Sequence, residues 1–196
     1  MKAKWDKDGV SLKTTFYIDT NVFFLIAGLE DDNLLLLSQA LLKNEIELFL
    51  THIQIDEHGG EEKSYGEKIE NAMKKLRAKN VVFQIESTKG IDWDISRWNM
   101  AEWGSKELVR IKHELGTEIE KCNKKKKDAS HDALIGLSSL DHDFFITNDK
   151  CIVYGWKKVI ENSQKNRPIL EKKYTIPKIF QRRTAKSVLK AILERK

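Results

Sequence analysis

FYIDTNVF, residues 16–23, decides the fold class. Phe16, Tyr17 and Ile18 are β-formers and close a strand that begins at Thr14. The run breaks at Asp19, Thr20 and Asn21, then turns apolar again at once. A strand that passes through a polar exit into a short apolar helix, here from Asn21 to about Gly28, is the first half of a strand–helix–strand unit. A carboxylate at such an exit needs a helix N-terminus, a cation, or both.

The pattern recurs along the chain. ELFL (47–50) exits at Thr51, with Glu57 six residues on, and FFIT (144–147) exits at Asn148 and Asp149. Between these lie expected helices over 33–43 (Asn33 as N-cap), from Thr51 with an interruption at Gly59-Gly60 and a resumption over 63–79, over 92–122, and over 128–140. VVFQI (81–85) reads as a further strand. Strands alternating with helices predict a three-layer α/β/α fold around a mainly parallel sheet of about five strands. The 196 residues suffice for one domain with a sizeable core, taken as 14–160. Both prolines, Pro168 and Pro177, come late. They mark 161–196 as a C-terminal extension packed on or flanking that domain. It ends in an amphipathic helix with Val188, Leu189, Ile192 and Leu193 at helical spacing.

Charge is unevenly spread. Residues 150–196 hold 14 basic and 3 acidic residues, and the first 149 hold 21 and 27. A basic end on an acidic body suits a polyanionic partner. No apolar run reaches the roughly 18 residues of a membrane span, and the N-terminus lacks an export segment. The two cysteines, Cys122 and Cys151, form no CxxC pair and read as separate thiols of a cytoplasmic protein. There is no GK[ST] loop and no HExxH spacing, which argues against an NTPase and a zinc site.

In a parallel sheet all strand exits share one edge, so Asp19 and Asp149 converge by topology. Glu57 and Asp132 join them from helices that start at that edge. On a helix running from 128, Asp128 and Asp132 would share a face. Two like charges at 4 Å cost about 4 kcal/mol at an effective dielectric near 20. Such a cluster persists only with protons or cations, and carboxylate oxygens favour Mg²⁺ or Mn²⁺.

Four pieces carry a resemblance: YIDTNVF (17–23), THIQIDE (51–57), DALIGLSSL (132–140) and FFITND (144–149). In this order and spacing they resemble the PIN domain family of nucleases over residues 14–155. The resemblance implies metal-dependent hydrolysis of phosphodiester bonds, usually in RNA, single-stranded or structured, at a site with one or two Mg²⁺ or Mn²⁺ ions. By matched position Asp19, Glu57, Asp132 and Asp149 are the acidic ligands, with Asp128 an outer candidate and Asp56 a rival to Glu57. Thr20, Asn21, Thr147 and Asn148 would shape the site. Many small members of the family are toxins held by an antitoxin protein, so an antitoxin is a candidate partner, and the C-terminal helix raises a homodimer. Lys124, Lys125, Lys126 and Lys127, with Arg182, Arg183, Lys186 and Lys190, are the candidate RNA contacts. Trp93, Trp98 and Trp103 could stack on bases, although their spacing of five does not keep one helical face and favours packing. The competing reading is a catalytically inert PIN-type module that binds RNA or a protein.

Overall fold

The computed structural model describes residues 13–56, 63–89, 101–102, 105–125 and 128–194. In chain order these form β1 (Thr14–Ile18), α1 (Thr20–Ala27), α2 (Asp31–Leu42), β2 (Ile46–Thr51), α3 (His52–Asp56), α4 (Lys63–Ala78), β3 (Gln84–Glu86), β4 (Thr88–Lys89) and β5 (Ala101–Glu102). There follow α5 (Lys106–Cys122), α6 (Ser130–Ser138), β6 (Phe144–Thr147), α7 (Lys150–Trp156), a π-helical turn (Lys157–Glu161), α8 (Asn166–Glu171), β7 (Lys178–Gln181) and α9 (Ala185–Glu194). Five strands pair in the order β3-β2-β1-β6-β7, and every pairing is parallel. β4 and β5 pair separately.

β1 shows why the fold has three layers. Phe16, Tyr17 and Ile18 are all fully buried, so the strand is covered on both faces. Phe16 and Ile18 pack into one core with Val22, Phe23, Leu34, Leu76 and Ile192. Tyr17 points the other way, into a core with Ile111, Leu115, Leu134 and Trp156. β6 divides alike, Phe144 and Ile146 to the first core and Phe145 to the second. Phe16 stacks on Phe144 and Phe144 on Phe180, at centroid distances of 5.0 and 5.2 Å, so one aromatic row crosses three strands. Burying each such side chain contributes about 1.5–3 kcal/mol. A one-residue slip would send every one of them to the wrong layer.

Within the described residues after 160, two elements join the body. β7 continues the sheet beyond β6, and Val188, Leu189, Ala191 and Ile192 of α9 enter the first core. Among the described residues no helix is long and apolar enough to cross a membrane.

Several boundaries differ from expectation. α2 starts at Asp31 with Glu30 as N-cap, two residues before Asn33. The expected helix over 92–122 is, within the described residues, α5 from Lys106, where the Ser105 hydroxyl accepts from the Leu108 amide at 3.2 Å. Trp93, Trp98 and Trp103 and the Gly59-Gly60 interruption lie outside the described residues.

Cys122 and Cys151 form a disulfide, with Cα atoms 5.4 Å apart. This corrects the expectation of two separate thiols and removes the argument from them for a cytoplasmic protein. The cause is the packing of α5 along α7. Gly155 permits the close approach, because a Cβ there would lie 3.0 Å from Ile119 Cγ1 and 3.1 Å from Leu115 Cδ1. That brings the last residue of α5 to the first turn of α7.

Candidate functional site

Chain order and strand order together locate the crevice. From β1 the chain steps to β2 and β3 on one side, while β6 and β7 lie on the other. The carboxyl ends of β1 and β6 therefore flank a topological switch point, where open α/β sheets bind ligands.

Asp19 follows β1 and Asp149 follows β6, so both stand at this point. One hydroxyl links them. Thr147 Oγ1 donates to Asp19 Oδ2 at 2.8 Å and accepts from the Asp149 amide at 3.0 Å. Thr147 is fully buried, and Asp19 is only 3% exposed. The Asp19 amide donates to the Ile146 carbonyl at 3.0 Å, and its own carbonyl accepts from the Phe23 amide to open α1. Asp149 is half-buried, and its Oδ1 accepts from the Cys151 amide at 2.6 Å to cap α7. Thr20 is buried and Asn21 exposed, while the Asn148 carbonyl accepts from Gln181 Nε2 at 3.4 Å.

Asp132 lies in the first turn of α6 and is buried. α6 leads through a short turn into the start of β6, so its own start lies toward the carboxyl edge, and it packs against α3 and α7. Asp128 does not share its helix face. α6 begins at Ser130, and Asp128 Oδ1 accepts from the Ser130 amide at 2.8 Å just ahead of it. The carboxylate that was expected inside the helix instead satisfies one of the amides a helix start leaves over. Asp56 ends α3. Glu57 lies outside the described residues, and so does its comparison with Asp56.

The basic candidates frame the same edge. α5 ends at the disulfide beside α7, so exposed Lys124 and Lys125 follow at the carboxyl side. Lys126 and Lys127 lie outside the described residues. Arg182 leaves β7 with its amide on the Thr147 carbonyl at 2.9 Å and its guanidinium 5.0 Å from the Phe180 ring centroid. Arg183 beside it is exposed, as are Lys186 and Lys190 on α9.

Sequence reasoning missed Gln54. Thr51-x-x-Gln54 is a capping box, legible in the sequence, in which the third helical residue reaches back to the N-cap amide. Gln54 Oε1 accepts from the Thr51 amide at 2.8 Å and from the Tyr17 hydroxyl at 3.1 Å. Its Nε2 donates to the Ile18 carbonyl at 2.5 Å. Burial holds the Tyr17 hydroxyl far above the ordinary phenol range, so it stays a donor.

A concavity of about 470 Å³ lies elsewhere, between α5 and the π turn, lined by Arg110, Glu114, Glu118, Lys158 and Asn166 among others. Its charges satisfy one another. Asn166 Nδ2 donates to Glu114 at 2.7 Å, and Lys121 and Lys158 each donate to Glu118 at 2.6 Å. The strand-end crevice gathers its carboxylates at the switch point of the sheet. Asp19, Thr147 and Asp149 offer it oxygen donors only, the set that suits Mg²⁺ or Mn²⁺. Among the described residues no three His, Cys, Asp or Glu side chains form a ready metal cluster. Compared with known proteins, the chain matches no family model, no curated protein and no solved structure.

Proposed function

We propose that the protein is a Mg²⁺- or Mn²⁺-dependent nuclease that cleaves RNA internally. The observation that carries the reading is the Thr147 hydroxyl joining Asp19 and Asp149 at the switch point of the sheet. Asp19, Asp149 and Asp132, with Glu57, would hold the ion. Such an ion, when bound, would supply a water of lowered pKa and offset charge on the scissile phosphate. The chain's own part is positional. β1 and β6 hold the two aspartates in parallel register. Thr147 orients the Asp19 carboxylate, and burial of Asp19 keeps bulk water from competing. Lys124, Lys125, Arg182 and Arg183 would bind phosphates on either side without reading sequence. Products would carry 5′-phosphate and 3′-hydroxyl ends.

The competing reading is a binding module without chemistry. It draws support from Asp149, whose Oδ1 is engaged in capping α7. One assay separates the two. A labelled single-stranded RNA is incubated with the protein in Mn²⁺, Mg²⁺ or EDTA. The nuclease reading expects cleavage that EDTA stops and that Asp19→Asn lowers by at least about 1,000-fold, on the order of 4 kcal/mol. Retention of RNA without cleavage in any metal would leave the binding module standing, and undiminished cleavage by Asp19→Asn would remove Asp19 from the site.

A further inference from the structure

The carbonyl of Ile18 presents an accounting problem. Pairing of β1 with β2 ends at Tyr17 opposite Phe49, after which β2 continues beside β3 through Leu50 and Thr51. Ile18 is fully buried. Its carbonyl, the one immediately before Asp19, therefore reaches the sheet's edge without a strand partner on that side. A buried carbonyl left in that state is costly. Gln54 Nε2 supplies the missing hydrogen bond from α3. On the other side of the same peptide, the Asp19 amide is held by the Ile146 carbonyl of β6 at 3.0 Å. The peptide that carries Asp19 is thus clamped from two directions, by a strand and by a side chain.

The orientation of the Gln54 amide is fixed by its surroundings. Its oxygen faces three donors: the Thr51 amide at 2.8 Å, the Tyr17 hydroxyl at 3.1 Å and the Thr51 hydroxyl at 3.3 Å. A flipped amide would set its NH₂ against the Thr51 N–H and its oxygen against the Ile18 carbonyl. Gln54 is 3% exposed, so water does not replace these bonds. No helix cap alone calls for this arrangement, because the cap uses only the oxygen.

We propose that Gln54 is a positioning residue for the Asp19 carboxylate, held in register by Thr51 and Tyr17. The inference rests on the metal-dependent reading of the Asp19 site. Gln54 touches no substrate. It acts by fixing the backbone from which Asp19 projects, and it ties that backbone to α3.

The test is Mn²⁺ affinity, measured by titration calorimetry on the folded full chain. Gln54→Met keeps length and bulk but removes the amide, and it should weaken Mn²⁺ binding by roughly 10–100-fold, the range for outer-shell partners of metal ligands. Urea unfolding of the same variant separates lost affinity from lost stability. Val159→Ala, on the π turn, destabilises a remote part of the core and should leave affinity unchanged. Wild-type binding of Mn²⁺ with equal affinity in Gln54→Met, or an equal loss of affinity in Val159→Ala, would overturn the inference alone. Absence of Mn²⁺ binding by the wild type would overturn the functional reading and this inference with it.

Discussion

The exits of β1 and β6 are built from the same local pattern, a buried strand, an aspartate and a helix, and they use the aspartate in opposite ways. Asp149 caps its helix, with its Oδ1 on the Cys151 amide at 2.6 Å. Asp19 sits at the equivalent N-cap position, yet its carboxylate makes no capping bond to α1. It turns across the strand boundary to the Thr147 hydroxyl instead. Aspartate at an N-cap ordinarily stabilises a helix by about 1 kcal/mol through that bond. Asp19 forgoes it while being the more buried of the two. The same residue type at the same kind of exit thus serves a helix start in one case and a contact between strands in the other. Asp149 ties its carboxylate to its own helix, whereas Asp19 ties its carboxylate to the neighbouring strand.

The largest expected effect concerns how each exit is held. The start of α7 is fixed covalently by the Cys122–Cys151 disulfide, whose partners lie 29 residues apart. The start of α1 is fixed by the β1–β6 ladder and Gln54. Replacing both cysteines with serine should cost about 3–4 kcal/mol, by chain entropy for a loop of that size. Urea unfolding reads the total. Hydrogen exchange should locate it, with faster exchange at Cys151→Ser and Ile152 and little change at Val22 and Phe23. Equal loosening at both helix starts would show that the two exits are not held independently.

Thr147→Val attacks the link between them. It removes the donor to Asp19 and the acceptor of the Asp149 amide while nearly keeping the shape. Under the proposed function, Mn²⁺ affinity should fall by roughly 10–100-fold. A drop confined to stability, with metal binding intact, would reduce Thr147 to a strand-end tie.

Substituting the aspartates themselves sharpens the contrast. Asp149→Ala should lower stability by about 1 kcal/mol, while Asp149→Asn, still a good cap, should lose only a few tenths. Asp19→Asn should leave the urea midpoint nearly unchanged, because asparagine keeps the shape and can still accept from Thr147. Equal losses at the two positions would erase the distinction drawn here.

What the sequence made legible follows from the range of the forces involved. FFIT and FYI could be read as strands because each is a dense run of β-formers, buried on both faces, and its exit is marked by polar residues. KIFQ (178–181) was not, because it is short and set between Pro177 and Arg182. Only pairing with β6 and the stacking of Phe180 on Phe144 make it a strand. Asp128 was misplaced because spacing assumes where a helix begins, and α6 begins only at Ser130, whose amide donates to the Asp128 carboxylate. The disulfide was invisible because it depends on α5 and α7 approaching at Gly155, a tertiary event. The capping half of Gln54 was present as Thr51-x-x-Gln54. Its bond to Ile18, 36 residues away, exists only once β1 and α3 are neighbours.

The smallest effect tests how the far end of α7's layer is secured. Glu118 of α5 accepts from Lys158 of the π turn and from Lys121. Those hydrogen bonds, from Lys121 first and then Lys158, hold its carboxyl below the ordinary value of 4.5. A carboxylate depressed in the folded state adds stability at pH above its unfolded value, and that stability is lost as pH falls through the folded value. Both lysines are more than half exposed, so screening limits the gain to roughly 0.3–1 kcal/mol. Wild type should therefore exceed Glu118→Gln by that margin at pH 6, and the gap should close below pH 4.5 and shrink in 1 M salt. A gap that persists in acid would mean that Glu118 holds α5 to the π turn by shape and neutral hydrogen bonds. α7 would then be secured at both ends without charge.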